Sequence, residues 1–225
     1  IAKFEEFEIE GEPIDFVIPP ASQFYDDARP ELKALFEGLD FARVRSITLS
    51  ANSYGTEACQ WIADEILSKC LNLKKVNFSD MFTQRLRSDL PNSLKALMDS
   101  IMNRKIEHLD LSHNAFGPDG VKSFQDFLSK CPSLKLLNVT NCGLGPKGGE
   151  MIAEAIEKNP SMKLTEFYAS RDRLEQEGLE ALSRVFSKQK CLKKIEVYQN
   201  GSKEGLKFLL ASFVDCKATL KSVNI

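Results

Sequence analysis

Residues 106–148 constrain the fold of this 225-residue chain more than any other stretch, because they hold the same line twice. IEHLDLSHNAFGPDG at 106–120 and LKLLNVTNCGLGPKG at 134–148 superimpose as hydrophobic-x-x-L-x-[LV]-x-x-[NC]-x-[FL]-G-P-x-G. The L-x-[LV] alternation puts apolar side chains on one face of a short strand. Gly117 and Gly145 permit a tight turn, and Pro118 and Pro146 have the backbone angle that opens a helix. A strand–turn–helix unit this short cannot bury its own apolar face, so it must stack on copies of itself.

Copies recur along the chain. VRSITLSAN, LKKVNFSDM, IEHLDLSHN, LKLLNVTNC, LTEFYASRD, LKKIEVYQN and LKSVNI begin at residues 44, 73, 106, 134, 164, 192 and 220, spaced 29, 33, 28, 30, 28 and 28 apart. This is the leucine-rich repeat signature. A period near 28 leaves room for a full helix in each unit. The expected fold is therefore an α/β leucine-rich repeat solenoid, a ribonuclease-inhibitor-like horseshoe. Right-handed crossovers place parallel strands on its concave side and helices outside. The helices obey amphipathic spacing, with Val121, Phe124, Phe127 and Leu128 on one face and Leu179, Leu182, Val185 and Phe186 on another. Trp61, Ile62 and Ile66 play that part earlier, so these aromatics read as core.

One domain is expected, with 1–43 as an N-terminal cap and 44–225 as repeats. Within the cap, FEEFEIEGEPIDFVIPP reads as one or two edge strands broken by Pro13 and the Pro19–Pro20 pair. Arg29–Pro30 leads into the short amphipathic helix ELKALFEGL. At the other end LKSVNI is a strand without a helix behind it, so further repeats are expected to follow. The chain opens on Ile1 rather than methionine, which leaves a preceding segment open.

Composition excludes several classes. A net charge of −2, from 30 basic and 32 acidic residues, gives no nucleic-acid or membrane surface. No apolar run approaches the length of a membrane span, so a soluble, monomeric protein is expected. Cys70, Cys131 and Cys191 recur at the end of repeat helices, which suits buried, reduced thiols better than disulfides or a zinc site. No GxSxG, Walker loop or Cys–His pair marks an active site of the chain's own.

Function must then lie where the repeat exposes polar groups or loses its regularity. In IEHLDLSHN, Leu109 and Leu111 point inward, and His108, Asp110 and Ser112 are expected to face the concave solvent. The ladder place holds Asn52, Asn114 and Asn200, whose amides can both donate to and accept from neighbouring turns. Cys142, Met81 and Asp172 fill that place in other repeats. Asp172 cannot donate when ionised and is expected to lean on Arg171, Arg173 or backbone amides. One place earlier lie Ala51, Asp80, His113, Asn141, Arg171 and Gln199, which should line up along one rim as a partner-binding stripe. The 33-residue spacing adds an insertion, MFTQRLRSDLP, that carries Arg85 and Arg87 beside Asp80.

NSYGTEACQWIADEI, FSDMFTQRLRSDLP, LSHNAFGPDGV, TNCGLGPKGG, SRDRLEQEG and YQNG occur in an order that resembles the Ran GTPase-activating proteins, over roughly residues 7–225. The resemblance implies an activator of another protein's GTPase activity, not an enzyme in its own right. It acts on a Ran-type small GTPase in the GTP-bound state, in support of nucleocytoplasmic transport. No cofactor of the chain's own is implied, since GTP and magnesium belong to the partner. Asn141 matches the rim asparagine placed near the partner's catalytic glutamine, with no arginine finger. Arg85 matches the supporting arginine of the insertion, and Arg87 the basic residue two places later. The implied partner-binding set is Asp80, Arg85, Arg87, His113, Asn141, Arg171, Arg173 and Gln199. The implied location is cytoplasmic, with the nuclear envelope as a further place. Three departures stand out. Gln84 takes a usual glycine, Asp172 an asparagine, and YQNGSKEG is short; the last two bear on the zone from Arg171 to Gln199, and neither of them is expected to touch Asn141 or Arg85. The family's acidic tail is also absent. The contrasting reading is a non-catalytic leucine-rich repeat scaffold or inhibitor, which would bind without raising a hydrolysis rate.

Overall fold

The computed structural model describes residues 11–216 and 219–225. It builds eight parallel strands into one sheet in chain order, with a helix behind each interior repeat. The strands are β1 (Ile14–Val17), β3 (Val44–Thr48), β5 (Lys75–Asn77), β6 (His108–Asp110), β7 (Leu136–Asn138), β8 (Glu166–Tyr168), β9 (Lys194–Glu196) and β10 (Ser222–Asn224). Two-residue strands β2 (Phe24–Tyr25) and β4 (Ser53–Tyr54) form a second, parallel pair.

Each strand is short because only L-x-[LV] is apolar. Register follows the pattern, with Val76, Leu109, Leu137, Phe167 and Ile195 paired in succession and buried. Behind them lie α3 (Leu90–Ser100), α4 (Gly117–Lys130), α5 (Gly145–Glu157), α6 (Glu175–Phe186) and α7 (Lys203–Ser212). Pro118 and Pro146 stand in the first turns of α4 and α5, as expected. Val121, Phe124, Phe127, Leu128, Leu179, Leu182, Val185 and Phe186 are all buried, and Phe167 meets Phe186 edge-on at 5.0 Å. The first repeat is less regular. Its helix α2 (Thr56–Trp61) loosens into a π turn at Ile62–Ile66 and tightens into a 3-10 turn at Leu67–Lys69.

The cap is a partial copy of the repeat. β1 pairs in parallel with β3 as the sheet's edge strand, and Pro30–Ala34 forms the short helix α1. The turn between them bonds to the first repeat through Ser22 N to Ala51 O and Asn52 Nδ2 to Pro19 O. The FEEFEIE part of the expected edge strands lies outside the described residues. Cys70 and Cys131 are buried free thiols, and burial pushes the Cys70 thiol up to about 12. Among the described residues, no helix is long and apolar enough to cross a membrane.

The ladder place works as its chemistry requires. Asn114 Oδ1 accepts from Met81 N at 2.9 Å, while its Nδ2 donates to Phe78 O and Leu111 O at 2.7 and 2.8 Å. Asn200 accepts from Asp172 N and Leu174 N and donates to Ala169 O and Val197 O. Cys142 keeps half of this role, with Sγ donating to Leu111 O at 3.1 Å.

Candidate functional site: the polar rim and its insertion

Several strand exits fold into the same polar turn. Asn77, Asp110 and Asn138 accept through Oδ1 from the backbone N–H two residues on, at Ser79, Ser112 and Thr140. Ser112 is buried rather than turned to the concave solvent, because its hydroxyl also donates to Asp110 Oδ1 at 2.6 Å.

The residue at the rim then takes a left-handed backbone. Ala51, Asp80, His113, Asn141, Arg171 and Gln199 have φ of 59°, 47°, 62°, 58°, 61° and 56°. This conformation costs an ordinary residue about 1 kcal/mol, and asparagine tolerates it best. Cross-repeat bonds hold it: Asp80 N to Ser112 O, His113 N to Thr140 O, Asn141 N to Ser170 O and Arg171 N to Tyr198 O, all 2.8–3.0 Å. At the spacing of parallel strands, Asp80 to Gln199 form a row roughly 20 Å long. The sequence located the row but not its backbone conformation.

Asn141 is the most constrained member. It is half-buried, and its Nδ2 lies 3.2 Å from His113 Nδ1. On its other side, Cys142 N donates to Asp172 Oδ1 at 2.7 Å, and Leu144 N donates to the same oxygen at 3.4 Å. Asp172 therefore holds the turn that carries Asn141, contrary to the expectation that this departure leaves Asn141 untouched. Asp172 leans on those amides and not on Arg171 or Arg173, whose side chains are exposed. It is fully buried, its Oδ2 has no hydrogen-bond partner, and burial raises its carboxyl from 3.8 to about 7 against the pull of the amides. Asn141 Oδ1 makes no bond among the described residues, and as an amide carbonyl it can accept one.

The insertion places its two arginines differently. Arg85 folds back onto the first repeat and the cap: Nε donates to Ser53 Oγ at 2.8 Å, Nη2 to Ser53 O at 2.9 Å, and Nη1 to Asp26. Its guanidinium also sits 5.6 Å from the Phe24 ring centroid, and only 16% of the side chain is exposed. The hydrogen bond from Arg85, and then its positive charge, hold the Asp26 carboxyl below its usual range. No local signal pointed to Ser53, Asp26 or Phe24, because each lies far from Arg85 in sequence. Arg87 is exposed and lies over the turn at Gly117, where φ is +65° and a Cβ would stand 2.0 Å from Nη2. Asp80 accepts from Thr83 Oγ1 at 2.7 Å. His113, Arg171, Arg173 and Gln199 are exposed, so the row runs from an acidic Asp80 to a basic stretch at Arg171 and Arg173, with the neutral Gln199 beyond. Among the described residues, no three His, Cys, Asp or Glu side chains are grouped to hold a metal ion.

Two predictions test the loop. Replacing Arg85 by alanine should cost about 1–3 kcal/mol in chemical denaturation, since the buried Ser53 carbonyl loses its guanidinium donor and the Ser53 hydroxyl keeps only its bond to Thr83 O. Lysine should not restore it, because an ammonium cannot reproduce the guanidinium fork; full rescue by lysine would mean that charge alone matters. Gln84 has φ +60°, which explains why glycine suits that place. Gln84→Gly should stabilise the chain by about 0.5–1 kcal/mol, and a loss of stability would refute the strain assigned there.

Comparison with known proteins agrees with this architecture. The Leucine Rich repeat family model matches residues 103–124 and 130–153. Ran GTPase-activating protein 1 of Xenopus laevis is 35% identical over 174 residues, 72% of this chain and 30% of its own length. The Ran GTPase-activating protein of Drosophila melanogaster is 34% identical over 183 residues, 76% of this chain and 30% of its own. Ran GTPase-activating protein 1 of Saccharomyces cerevisiae is 33% identical over 196 residues, 78% and 46%. The chain thus spans less than half the length of these curated relatives. The tropomodulin C-terminal domain of Caenorhabditis elegans superimposes with a TM-score of 0.54 at 18% identity, over 72% of this chain and 93% of that one, a likeness of fold alone. The resemblance drawn from the motifs is borne out.

Proposed function

On the premise that this chain is a leucine-rich repeat relative of the Ran GTPase-activating proteins, we propose that it stimulates GTP hydrolysis by a Ran-type GTPase. The observation that carries the reading is Asn141. It is a neutral amide on a rim turn tied to the neighbouring repeat through Ser170 and Asp172, and its Oδ1 has no bond among the described residues.

In this reading the partner supplies the nucleotide, the magnesium and the glutamine that orients the attacking water. That glutamine is mobile until something holds it. Asn141 binds it in one pose, so the gain is one of orientation, which contributes several kcal/mol when a reacting group is held near its attacking geometry. Arg85 supports the site from behind. A guanidinium bonded to Ser53 and Asp26 is ill-suited to reach into a nucleotide pocket, and it braces the insertion loop against the cap. Asp80, Arg87, His113, Arg171, Arg173 and Gln199 form the docking row around Asn141. The complex is one chain to one GTP-bound partner in the cytoplasm, in support of nucleocytoplasmic transport.

The deciding experiment measures single-turnover hydrolysis of Ran-bound GTP against increasing concentrations of this chain, with binding measured separately. An activator raises the rate to a plateau, and assisted GTPases reach gains of about 10³–10⁵. A scaffold or inhibitor would saturate binding and leave the rate at its basal value, and that result would overturn the proposal.

A further inference from the structure

The geometry points to His113 as the residue that sets which way Asn141 faces. We propose that His113 Nδ1 accepts a hydrogen bond from Asn141 Nδ2 and so fixes the amide with Oδ1 outward, as an acceptor for the partner. The inference rests on the reading of Asn141 as the group that holds the partner's glutamine.

A side-chain amide is nearly symmetrical in shape, and its two ends have opposite hydrogen-bonding character. Without a neighbour to distinguish them, Asn141 would offer the partner a donor or an acceptor at comparable cost. His113 occupies the same rim place one repeat earlier, with the same left-handed backbone, and its ring nitrogen is 3.2 Å from the Asn141 amide nitrogen. With the amide nitrogen toward the ring, Nδ1 is the acceptor and the ring carries its proton on Nε2, so the tautomer of His113 and the orientation of Asn141 are set together. Both backbones are pinned, through His113 N to Thr140 O and Asn141 N to Ser170 O, so the side chains meet without rearrangement. With Oδ1 outward, Asn141 takes an N–H from the glutamine amide. The glutamine carbonyl is then left to accept from the attacking water. The opposite orientation would either pair donor with donor or, with the glutamine turned over, draw its carbonyl away from the water.

The role is one of positioning, and two substitutions separate it from a structural one. Asparagine at 113 tolerates the left-handed backbone and can put an oxygen near the place of Nδ1; alanine has no acceptor. In single-turnover assays of the full chain, His113→Ala should lower the plateau rate about tenfold, a larger change than the rise in half-saturating concentration from the docking contact it also removes. His113→Asn should stay within about twofold of the unsubstituted chain. Nitrogen-15 NMR of the free chain should show His113 protonated at Nε2 and the Asn141 amide signals displaced in His113→Ala and restored in His113→Asn. A ring protonated at Nδ1, an unchanged Asn141 amide in His113→Ala, or a His113→Asn rate as low as that of His113→Ala would each overturn the proposal. Should the unsubstituted chain not stimulate hydrolysis at all, the activator reading falls. The NMR signals would still decide for or against the His113 bond.

Discussion

Replacing Asn141 by alanine is expected to lower stimulated GTP hydrolysis by about 10²–10³-fold, the loss that follows when a single orienting group is removed from a reacting site. The fold should survive. Ala51 already holds the same rim place at φ 59°, and the bond from residue 141 N to Ser170 O does not involve the side chain. The cost in stability is the poorer tolerance of alanine for a left-handed backbone, about 1 kcal/mol or less. Glycine at 141 separates the two effects, because it relieves the backbone and still lacks the amide. Both variants should therefore lose the rate, and only alanine should lose stability. Binding of the GTP-loaded partner should weaken far less than the plateau rate falls, since the docking row remains. If both variants stimulate as well as the unsubstituted chain, Asn141 is not the orienting group.

The sequence displayed the parts of this molecule that repeat. Leucines at L-x-[LV] must be buried wherever they recur, so the order and register of β5 to β9 were legible from spacing. The ladder asparagines were legible for a chemical reason: a buried turn that needs a donor and an acceptor has few side chains to choose from. Conformation at the rim was not legible. The left-handed angles of Asp80, His113 and Arg171 are imposed by bonds from the next repeat, and none of these residue types announces them. Arg85 shows the same limit for side chains. Its place in an insertion suggested an outward, docking role, yet it turns back onto Ser53 and Asp26, which lie 32 and 59 residues away. Asp172 was noticed as a departure from asparagine, and its link to Asn141 appeared only once the turns were stacked.

Asp172→Asn should stabilise the chain by about 2–4 kcal/mol at pH 8 and remove a pH dependence that the unsubstituted chain carries. Asn200, one repeat on, shows what the substitution supplies: Oδ1 accepts from two backbone amides, and Nδ2 donates to Ala169 O and Val197 O. Asp172 keeps the first half, accepting from Cys142 N and Leu144 N, and leaves Oδ2 buried with no partner. A protonated carboxyl could donate there and an ionised one could not, which accords with a carboxyl raised from 3.8 to about 7. Below pH 3.8 both folded and unfolded chains hold this proton, and the group contributes no pH dependence. Between 3.8 and about 7 only the folded chain holds it, so stability falls as pH rises, by about 1.4 kcal/mol per unit and about 4 kcal/mol in all. Denaturation at pH 5 and pH 8 should therefore separate the two proteins more widely at pH 8; parallel curves would refute the assignment. The substitution also bears on function, because the Cys142 and Leu144 amides fix the turn of Asn141. Asparagine keeps both bonds and should leave stimulation intact. Leucine, of similar volume, removes both and should lower stability and rate together, since Asn141 can orient a partner only from a turn that is itself held.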